Sequence, residues 1–386
     1  MSASGSNRRV RIGIVGCGNV MDGAYMPAIR KLNLFQQVAE VTAACHTRRD
    51  RCQKILTKWG IGTFTEDYRE LCHFEDVDLV LVLTSTQAHA AIVREALEAG
   101  KHVLVEKPMA TTLAEAEDIS RLAKKASGNL ACAPFVALSP TYQTIWHRVQ
   151  TGDIGKVCLA RARYGWSGPD WSPSFYRHGG GCITDLAVYA ITSLTGILGP
   201  ARRVTAMTGV AIPERQVNGV IVKVEAEDNA QILMDFGESR FAVVTSGFTM
   251  QKYRSPAFEI YGTGGTLQML GDDWAPEGYE LWRNHVGAWQ YFYETDPHWS
   301  WTDGLRHLVE CIRNGTRPIP TPEHSFHVLE IMLAAQASGH DGRTKDIQSR
   351  FEPLKLIRAS VQRLAAHRIH DSRREEVAGG VEDSSI

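Results

Sequence analysis

Lys107 is the residue of this chain whose type and position first suggest chemistry. It lies in the run HVLVEKP at residues 102–108, where three apolar β-formers predict a buried strand. Pro108 biases Lys107 away from helix and cannot extend a strand ladder, so the lysine should lie at the strand's carboxyl end. Ligands of open parallel sheets bind in the crevice at that end. Lys107 could therefore meet two bound molecules at once, although the same run also suits a solvated loop lysine.

A second pair of candidates, Asp185 and Tyr189, follows a turn of three glycines at residues 179–181. Spaced four apart, the two share one face if the segment is helical. A free tyrosine has a pKa of about 10 and is a poor base at neutral pH, but a nearby ammonium lowers that pKa. We expect Lys107 and Tyr189 to act as one acid–base unit, with Asp185 orienting a substrate or keeping the lysine charged. The alternative is a first-turn aspartate favoured by the helix dipole and a tyrosine of the core.

A glycine-rich loop follows the first predicted strand, with the sequence GCGNVM at residues 16–21. Gly16 and Gly18 allow a tight turn and close backbone approach, and Asn19 and Val20 lead into a helix whose N-terminus can hold a pyrophosphate. The third glycine position of the motif is occupied by Met21, so the motif is incomplete. In its context of a strand followed by a helix, it predicts dinucleotide binding.

The end of the second predicted strand should read the adenosine ribose of such a dinucleotide. A carboxylate there favours NAD, because it accepts a hydrogen bond from the 2′-hydroxyl and repels a 2′-phosphate. This chain instead has Thr47, Arg48 and Arg49, and no acid before Asp50. The arginines could neutralise a 2′-phosphate, so the sequence favours NADP over NAD. They could also simply begin an exposed helix.

The chain divides by its pattern of elements into two predicted domains. Residues 10–134 alternate short apolar strands with helices, which predicts a parallel, doubly wound Rossmann sheet of the α/β class. In residues 135–352 strands follow one another between a few helices, which predicts an α+β domain with an antiparallel sheet. Residues 1–9 read as a disordered leader, and residues 353–386 as a helix with a disordered tail.

Composition excludes several classes of partner. With 42 basic and 43 acidic residues the net charge is −1, so no basic field attracts nucleic acid. No apolar run is long enough to span a membrane, and the polar start does not resemble a signal peptide. The eight cysteines form no C-x-x-C pair and lie mostly in apolar runs, which favours reduced thiols in the cytoplasm. No metal-ligand spacing is present; His324 and His327 lack a third ligand nearby.

Residues 166–178 form an irregular stretch that leads directly into the glycine turn. Loops beside catalytic helices often determine specificity. We therefore expect Trp171, Tyr176 and His178 near the substrate. The same loop could equally pack against the core of its own domain.

Taken together, the chain resembles the glucose–fructose oxidoreductase / inositol dehydrogenase family, known as Gfo/Idh/MocA. The resemblance covers residues 10–350 and rests on four signals in order: the strand with the glycine loop, TSTQAH at 84–89, AGKHVLVEKP at 99–108, and the glycine-led helix with Asp185. It implies a Rossmann domain, a second domain with a large, mostly antiparallel sheet, and a nicotinamide cofactor. It also implies that the open face of that sheet forms a homodimer or homotetramer.

The resemblance assigns roles to individual residues. The positions that line the cofactor cleft are Thr84, Thr86, His89 and Glu106. Lys107 falls on the family's catalytic lysine and Asp185 on its helix aspartate. Two positions depart from many members, which have asparagine at Thr86 and histidine at Tyr189. Tyrosine-type members, such as glucose–fructose oxidoreductase-like and dihydrodiol dehydrogenase-like proteins, are similar to this chain.

The expected function is therefore that of an NAD(P)-dependent oxidoreductase. It would transfer hydride between nicotinamide and a secondary alcohol or ketone of a sugar, glycoside or cyclitol. One alternative is redox-neutral cleavage of a glycoside by oxidation, elimination and reduction on a retained NAD. Another is a sensor that binds nucleotide without catalysis, against which the presence of Lys107, Asp185 and Tyr189 argues.

Overall fold

The computed structural model of the protein describes residues 8–35, 37–254, 256–293 and 296–355. Most of the predicted leader, 1–9, lies outside these ranges. Of the predicted C-terminal helix and tail, 353–386, only the first three residues lie inside them.

The first sheet has six parallel strands in the order β3-β2-β1-β4-β5-β6. In chain order they are β1 (Val10–Val15), β2 (Ala39–Cys45), β3 (Thr63–Thr65), β4 (Leu79–Val82), β5 (His102–Val105) and β6 (Leu130–Cys132). All four residues of β4 are buried, as expected for a strand covered by helices on both faces. The predicted parallel, doubly wound sheet is thus confirmed, and β5 ends directly before the segment with Lys107.

Five helices alternate with these strands: α1 (Met26–Phe35, after a π-helical turn at Met21–Tyr25), α2 (Arg49–Trp59), α3 (Tyr68–His73), α4 (Thr86–Glu98) and α5 (Leu113–Ala123). The sequence pattern predicted α2 with these bounds. It missed β3 and α3, because a three-residue edge strand and a six-residue helix are too short to show a hydrophobic period. Asp67 caps α3 by accepting a hydrogen bond from the Arg69 amide.

The second sheet has nine strands in the order β16-β15-β14-β13-β7-β12-β11-β8-β17. They are β7 (Val157–Gly165), β8 (Arg203–Gly209), β11 (Asn229–Asp235), β12 (Phe241–Gly247), β13 (Phe258–Gly262), β14 (Gly265–Asp272), β15 (Ala275–Arg283), β16 (Trp289–Tyr293) and β17 (Lys345–Asp346), while β9 (Glu214–Val217) and β10 (Val220–Lys223) form a separate hairpin. The neighbouring strands are antiparallel except β7 and β12, which are parallel. The large, mostly antiparallel sheet is therefore confirmed.

Helices cover one face of this second sheet. They are α6 (Pro140–Gln150), α7 (Val188–Leu198, after a π-helical turn at Ile183–Ala187) and α9 (Pro322–Asp341); a further helix, α8 (Gly304–Asn314), lies between β16 and α9 in the chain. Residues of α6, α7 and α9 share a core with the sheet, whereas α8 packs into the core of the first sheet. Helix α9 contributes to both sides, because Leu329 joins the first sheet's core and Met332 the second's. The division at residue 134 stays a prediction, since segments beyond residue 300 complete the first core.

Two further observations concern the chain as a whole. All eight cysteines lie in the described ranges as free thiols; seven are buried and Cys158 is exposed. Across the same ranges, none of the helices combines the length and apolar character that a membrane crossing requires.

Candidate active site

The glycine loop passes close to the end of β4, which explains its first glycine. Gly16 has φ +104°, and a Cβ there would lie 2.7 Å from the carbonyl carbon and oxygen of Leu83. At Gly18 a Cβ would meet nothing within 4 Å, so the space above the loop is open. Asn19 and Val20 are exposed, and no side chain in the described part of the chain caps the helix that follows Val20. The backbone amides of this loop and of the first helical turn after it fit a dinucleotide pyrophosphate bound at a helix N-terminus.

Lys107 and Asp185 form an ion pair that joins the two sheets. The Nζ of Lys107 donates to Asp185 Oδ1 at 2.6 Å and to the Asp185 backbone carbonyl at 2.8 Å. The two side chains are 15% and 18% exposed, so Lys107 is not a solvated loop lysine. Burial acts to lower the pKa of Lys107, but Asp185 and neighbouring acids outweigh it, and the net direction is upward. The amine is therefore held as an ammonium and does not serve as a base.

Tyr189 lies beside this ammonium and against a second tyrosine. The Nζ of Lys107 is 5.2 Å from the Tyr189 ring centroid, and Tyr164 meets the ring edge-on at 5.3 Å. Burial raises the pKa of Tyr189; Lys107 lowers it, but three acids raise it further. Lys107 does lower the pKa of Tyr189, as expected, but burial and the acids outweigh it, and the net direction is upward. Tyr189 carries its proton.

Glu106 connects the glycine-loop helix to the end of β5. Its Oε1 accepts a hydrogen bond from the Tyr25 hydroxyl at 2.7 Å, and its Oε2 accepts one from the Lys107 amide at 3.1 Å. Burial, followed by the charge of Glu106, raises the pKa of Tyr25, so the phenol remains a donor. Sequence reasoning missed Tyr25, because its position in the helical pattern marked it as an ordinary core residue.

His89 lies between the segments that follow β4 and β5, and its expected role at the cofactor cleft stays a prediction. It is buried, with Nδ1 2.8 Å from the Pro108 carbonyl oxygen and Nε2 3.2 Å from the Thr84 carbonyl oxygen. Burial lowers its pKa. A neutral imidazole carries one N–H, so His89 donates to one of these carbonyl oxygens at a time, and its ring packs between the segments that follow β4 and β5. Thr84 and Thr86 are half-buried at the start of α4, where they can face a bound nucleotide.

In the turn after β2, where a dinucleotide ribose is expected to bind, Arg48 is paired with Asp50. The guanidinium contacts Asp50 through Nε at 3.2 Å and Nη2 at 2.6 Å, and Arg49 lies over the Phe64 ring at 5.1 Å. Thr47 is exposed beside them. The charge of Arg48 is thus already paired, which weakens the argument that it favours a 2′-phosphate.

The three predicted substrate residues differ in their surroundings. Trp171 is 49% exposed and stacks on Trp166 at 5.4 Å, and His178 is exposed on the same loop. Tyr176 is 1% exposed, and its hydroxyl donates to the Pro169 carbonyl at 2.7 Å. The ring of Tyr176 packs inward and holds the loop in place, and its expected position near a substrate stays a prediction.

A buried acid, Asp273, was not found from the sequence, because two aspartates between strands look like an ordinary exposed turn. Its Oδ2 accepts a hydrogen bond from Ser193 Oγ at 3.1 Å, and the residue is 5% exposed. Burial raises the pKa of this carboxyl to about 7. Its charge in turn contributes to the raised pKa values of Tyr164 and Tyr189.

We expect Asp273→Asn to change how stability depends on pH. The folded pKa of about 7 lies above the ordinary value of 3.8, so the folded protein keeps a proton that the unfolded chain loses, and stability falls as pH rises between these values. Relative to wild type, the variant should gain roughly 2–4 kcal/mol in free energy of unfolding between pH 4 and pH 8. Urea unfolding at both pH values measures this gain.

The matched control is Asp272→Asn, since Asp272 is half-buried in the same turn and accepts from the Tyr253 hydroxyl. Because the charge of Asp272 raises the pKa of Asp273, this variant should show a gain in the same direction that is smaller than the gain of Asp273→Asn. An Asp273→Asn difference that is equal at both pH values would contradict the raised pKa.

Within the part of the chain that the structure describes, no three His, Cys, Asp or Glu side chains come together as a metal site. His324 and His327 are both buried and pack on Phe351.

The structure has a parallel sheet with a glycine loop, the Lys107 ammonium at the end of one of its strands, and a second sheet beside it. These are the features of a two-domain dinucleotide-binding protein. Residues 10–133 match the profile of the GFO_IDH_MocA oxidoreductase family, NAD-binding Rossmann fold. Residues 142–268 match the GFO/IDH/MocA C-terminal domain. The chain belongs to this oxidoreductase family, and its first domain is an NAD-binding Rossmann domain. The resemblance inferred from the motifs is confirmed.

Individual relatives extend over most of the chain. It is 25% identical over 349 residues to scyllo-inositol 2-dehydrogenase (NAD(+)) of Bacillus subtilis strain 168, covering 86% of this chain and 95% of the relative. It is 26% identical over 348 residues to 1,5-anhydro-D-fructose reductase of Ensifer adhaerens, covering 88% and 99%. The structure of levoglucosan dehydrogenase in complex with NADH superimposes with a TM-score of 0.80 at 19% identity, covering 89% and 100%, which shows the shared fold.

Proposed function

We propose that this protein transfers hydride between a bound nicotinamide and a secondary alcohol or ketone of a sugar, glycoside or cyclitol. The observation that carries the proposal is the Lys107 ammonium, paired with Asp185 and 5.2 Å from the Tyr189 ring, at the strand end beside the glycine loop. The names of the relatives, a cyclitol dehydrogenase and a sugar-derived ketone reductase, support the substrate class.

A nicotinamide, when bound, supplies the hydride donor or acceptor. The glycine loop, Thr84 and Thr86 would hold the dinucleotide. Because Tyr189 is protonated in the protein alone, it is ready to give its proton to a ketone oxygen in the reductive direction. The Lys107 ammonium would stabilise the phenolate that forms, and Asp185 keeps that ammonium charged and in place.

Removing the phenolic hydroxyl should abolish most of the activity. We expect Tyr189→Phe to lower kcat by about 10²–10⁴-fold, the range for loss of a positioned acid or base, while NADH affinity stays within about twofold. The assay screens wild type against sugars and cyclitols, including scyllo-inositol and 1,5-anhydrofructose, by NADH absorbance. Calorimetry measures NADH binding.

The control is Tyr261→Phe, a tyrosine of β13 whose hydroxyl donates to Glu259; its activity should match wild type. The proposal would be contradicted if Lys107→Ala left turnover unchanged, or if the wild-type protein bound no nicotinamide nucleotide. Turnover of a glycoside with tightly held cofactor and no net NADH change would instead support the redox-neutral cleavage. Nucleotide binding with no turnover of any compound would support a sensor.

We also propose that the pairing of Arg48 with Asp50 decides the choice between NAD and NADP. The strand end lacks the acid that would repel a 2′-phosphate, but Arg48 must leave Asp50 to bind that phosphate. Asp50→Asn should free Arg48 and strengthen NADP⁺ relative to NAD⁺ by about tenfold, the effect of one charge-assisted hydrogen bond. Arg48→Ala should shift the ratio the other way.

The measurement is the ratio of the two dissociation constants by calorimetry at low salt, since these charges are exposed. Arg51→Ala is the control, an exposed arginine of the same turn, and should leave the ratio unchanged. A ratio that is the same in all three variants would contradict the role of Arg48.

We further propose that a second copy of the chain covers the open face of the nine-stranded sheet, in a homodimer or homotetramer. Leu159 and Phe241 are paired across β7 and β12 on this face and are both exposed, as are Leu233 and Met207 on the next strands. Such contiguous apolar patches mark interaction sites.

Phe241→Asp should therefore convert the assembly to monomer in sedimentation velocity. Val220→Asp on the β9–β10 hairpin should not, and a monomeric wild type would refute the proposal.

A further inference from the structure

A row of aromatic rings leads away from the catalytic tyrosine. Tyr164 meets Tyr189 at 5.3 Å, and Trp171 stacks on Trp166 at 5.4 Å with an interplanar angle of 26°. Tyr164 lies in β7 and Trp166 directly follows the strand's last residue; at this two-residue spacing both side chains continue the face that carries Ala162, about 7 Å apart. That face is the one that packs on α7, because the preceding residue of the alternation, Ala162, belongs to the core shared with α7.

The loop that carries Trp171 connects the two halves of the site. It leaves β7 directly after the tyrosine contact and returns at the glycine turn before Asp185. At Gly179 a Cβ would lie 3.7 Å from the Gln87 amide nitrogen on α4, so the loop also reaches the nucleotide domain beside Thr86. Trp171 thus lies on a segment that borders the predicted position of a substrate.

Several polar contacts hold this loop in one shape. The Asn218 amide group donates to the Trp171 carbonyl at 2.8 Å, and the Asn218 backbone amide donates to the Asp170 carbonyl at 2.7 Å. Arg215 Nη1 donates to the Ser167 carbonyl at 2.6 Å, and Arg215 is itself paired with the buried Asp228. A ring fixed in this way can bind without first paying the entropy of ordering.

Trp171 is nevertheless 49% exposed, although an indole is among the largest apolar surfaces a side chain can present. Trp166 covers one face of the indole and Phe175 meets it edge-on at 5.8 Å. What stays open is a flat apolar surface, which suits the C–H face of a sugar ring or an aromatic ring. Tyr164 and Trp166 lie between Tyr189 and Trp171. A sugar ring bound beside Tyr189 and a second ring bound on Trp171 would therefore lie along the same row of aromatic side chains.

We propose that Trp171, supported by Trp166, is a subsite for the second ring of a two-ring glycoside whose first ring reacts at Tyr189. The inference rests on the proposed function, and it assigns the substrate class as glycosides rather than free monosaccharides. In the oxidative direction the reacting carbinol would give its hydride to the bound nicotinamide, and its hydroxyl proton would go to the Tyr189 phenolate after the phenol has released its own proton to water. The second ring stays unchanged and contributes binding.

The test compares ligands that differ only in the second ring. Calorimetry on the NADH-loaded enzyme measures the phenyl and methyl β-glycosides of glucose, galactose and xylose. We expect at least one phenyl glycoside to bind about tenfold tighter than its methyl counterpart, as the burial of one aromatic contact allows. Trp171→Ala should remove this preference and leave the methyl glycoside's affinity unchanged, while Trp171→Phe should retain most of it.

Turnover provides a second readout. For the preferred phenyl glycoside, Trp171→Ala should raise KM with kcat nearly unchanged, because the second ring contributes equally to ground-state and transition-state binding. Thermal unfolding checks that each variant is folded. Equal affinity for all phenyl and methyl pairs, or an equal loss for both in Trp171→Ala, would overturn the subsite. A phenyl preference that depends on Trp171, without any redox turnover, would support the subsite and refute the proposed function.

Discussion

The site depends on one interaction, the ion pair between Lys107 and Asp185. Lys107 comes from the end of β5, and Asp185 from the π-helical turn before α7, so the pair connects the two sheets at the place where the tyrosine lies. Loss of one partner of a buried pair leaves an uncompensated charge and costs about 3–5 kcal/mol. The glycine turn before Asp185 is itself closely packed: at Gly181, φ is +90° and a Cβ would lie 2.5 Å from the Glu227 carboxylate.

Burial and charge act in opposite directions on Tyr189, and burial prevails. The ammonium favours the phenolate, yet desolvation and the acids around the ring keep the phenol protonated. The resulting arrangement is a neutral donor beside a fixed positive charge. In the proposed reaction such a pair would keep the proton until a ketone oxygen takes it and would then stabilise the resulting anion, a form of preorganised electrostatics that favours hydride transfer to a carbonyl.

The sequence indicated those features that follow from local pattern, and it failed where distant contacts decide. The end of β5 and the bounds of α2 follow from apolar runs, a proline and helical spacing. The Glu106–Tyr25 bond, by contrast, joins residues 81 positions apart. The burial of Asp273 depends on Ser193, 80 positions away. The cofactor argument from Arg48 has a different weakness. The sequence shows Asp50 two residues after Arg48, but it does not show that the two side chains are paired.

The residues proposed for proton transfer and the residues proposed for substrate specificity lie on different kinds of structure. The groups proposed for proton transfer come from strand and helix ends, where the backbone is fixed by the ladders of the two sheets. The loop of residues 166–178 lies outside the ladder of the nine-stranded sheet, and it is held by side chains such as those of Arg215 and Asn218 together with the Asn218 backbone amide. Gly168 shows how closely these pack: at φ +94° its Cβ would lie 2.6 Å from the Tyr176 hydroxyl and 2.8 Å from Arg215 Nη1. Since Arg215 and Tyr176 hold the loop without facing the open surface of Trp171, changes at the exposed ring can alter which second ring is bound while the tethers and the proton-transfer groups keep their geometry.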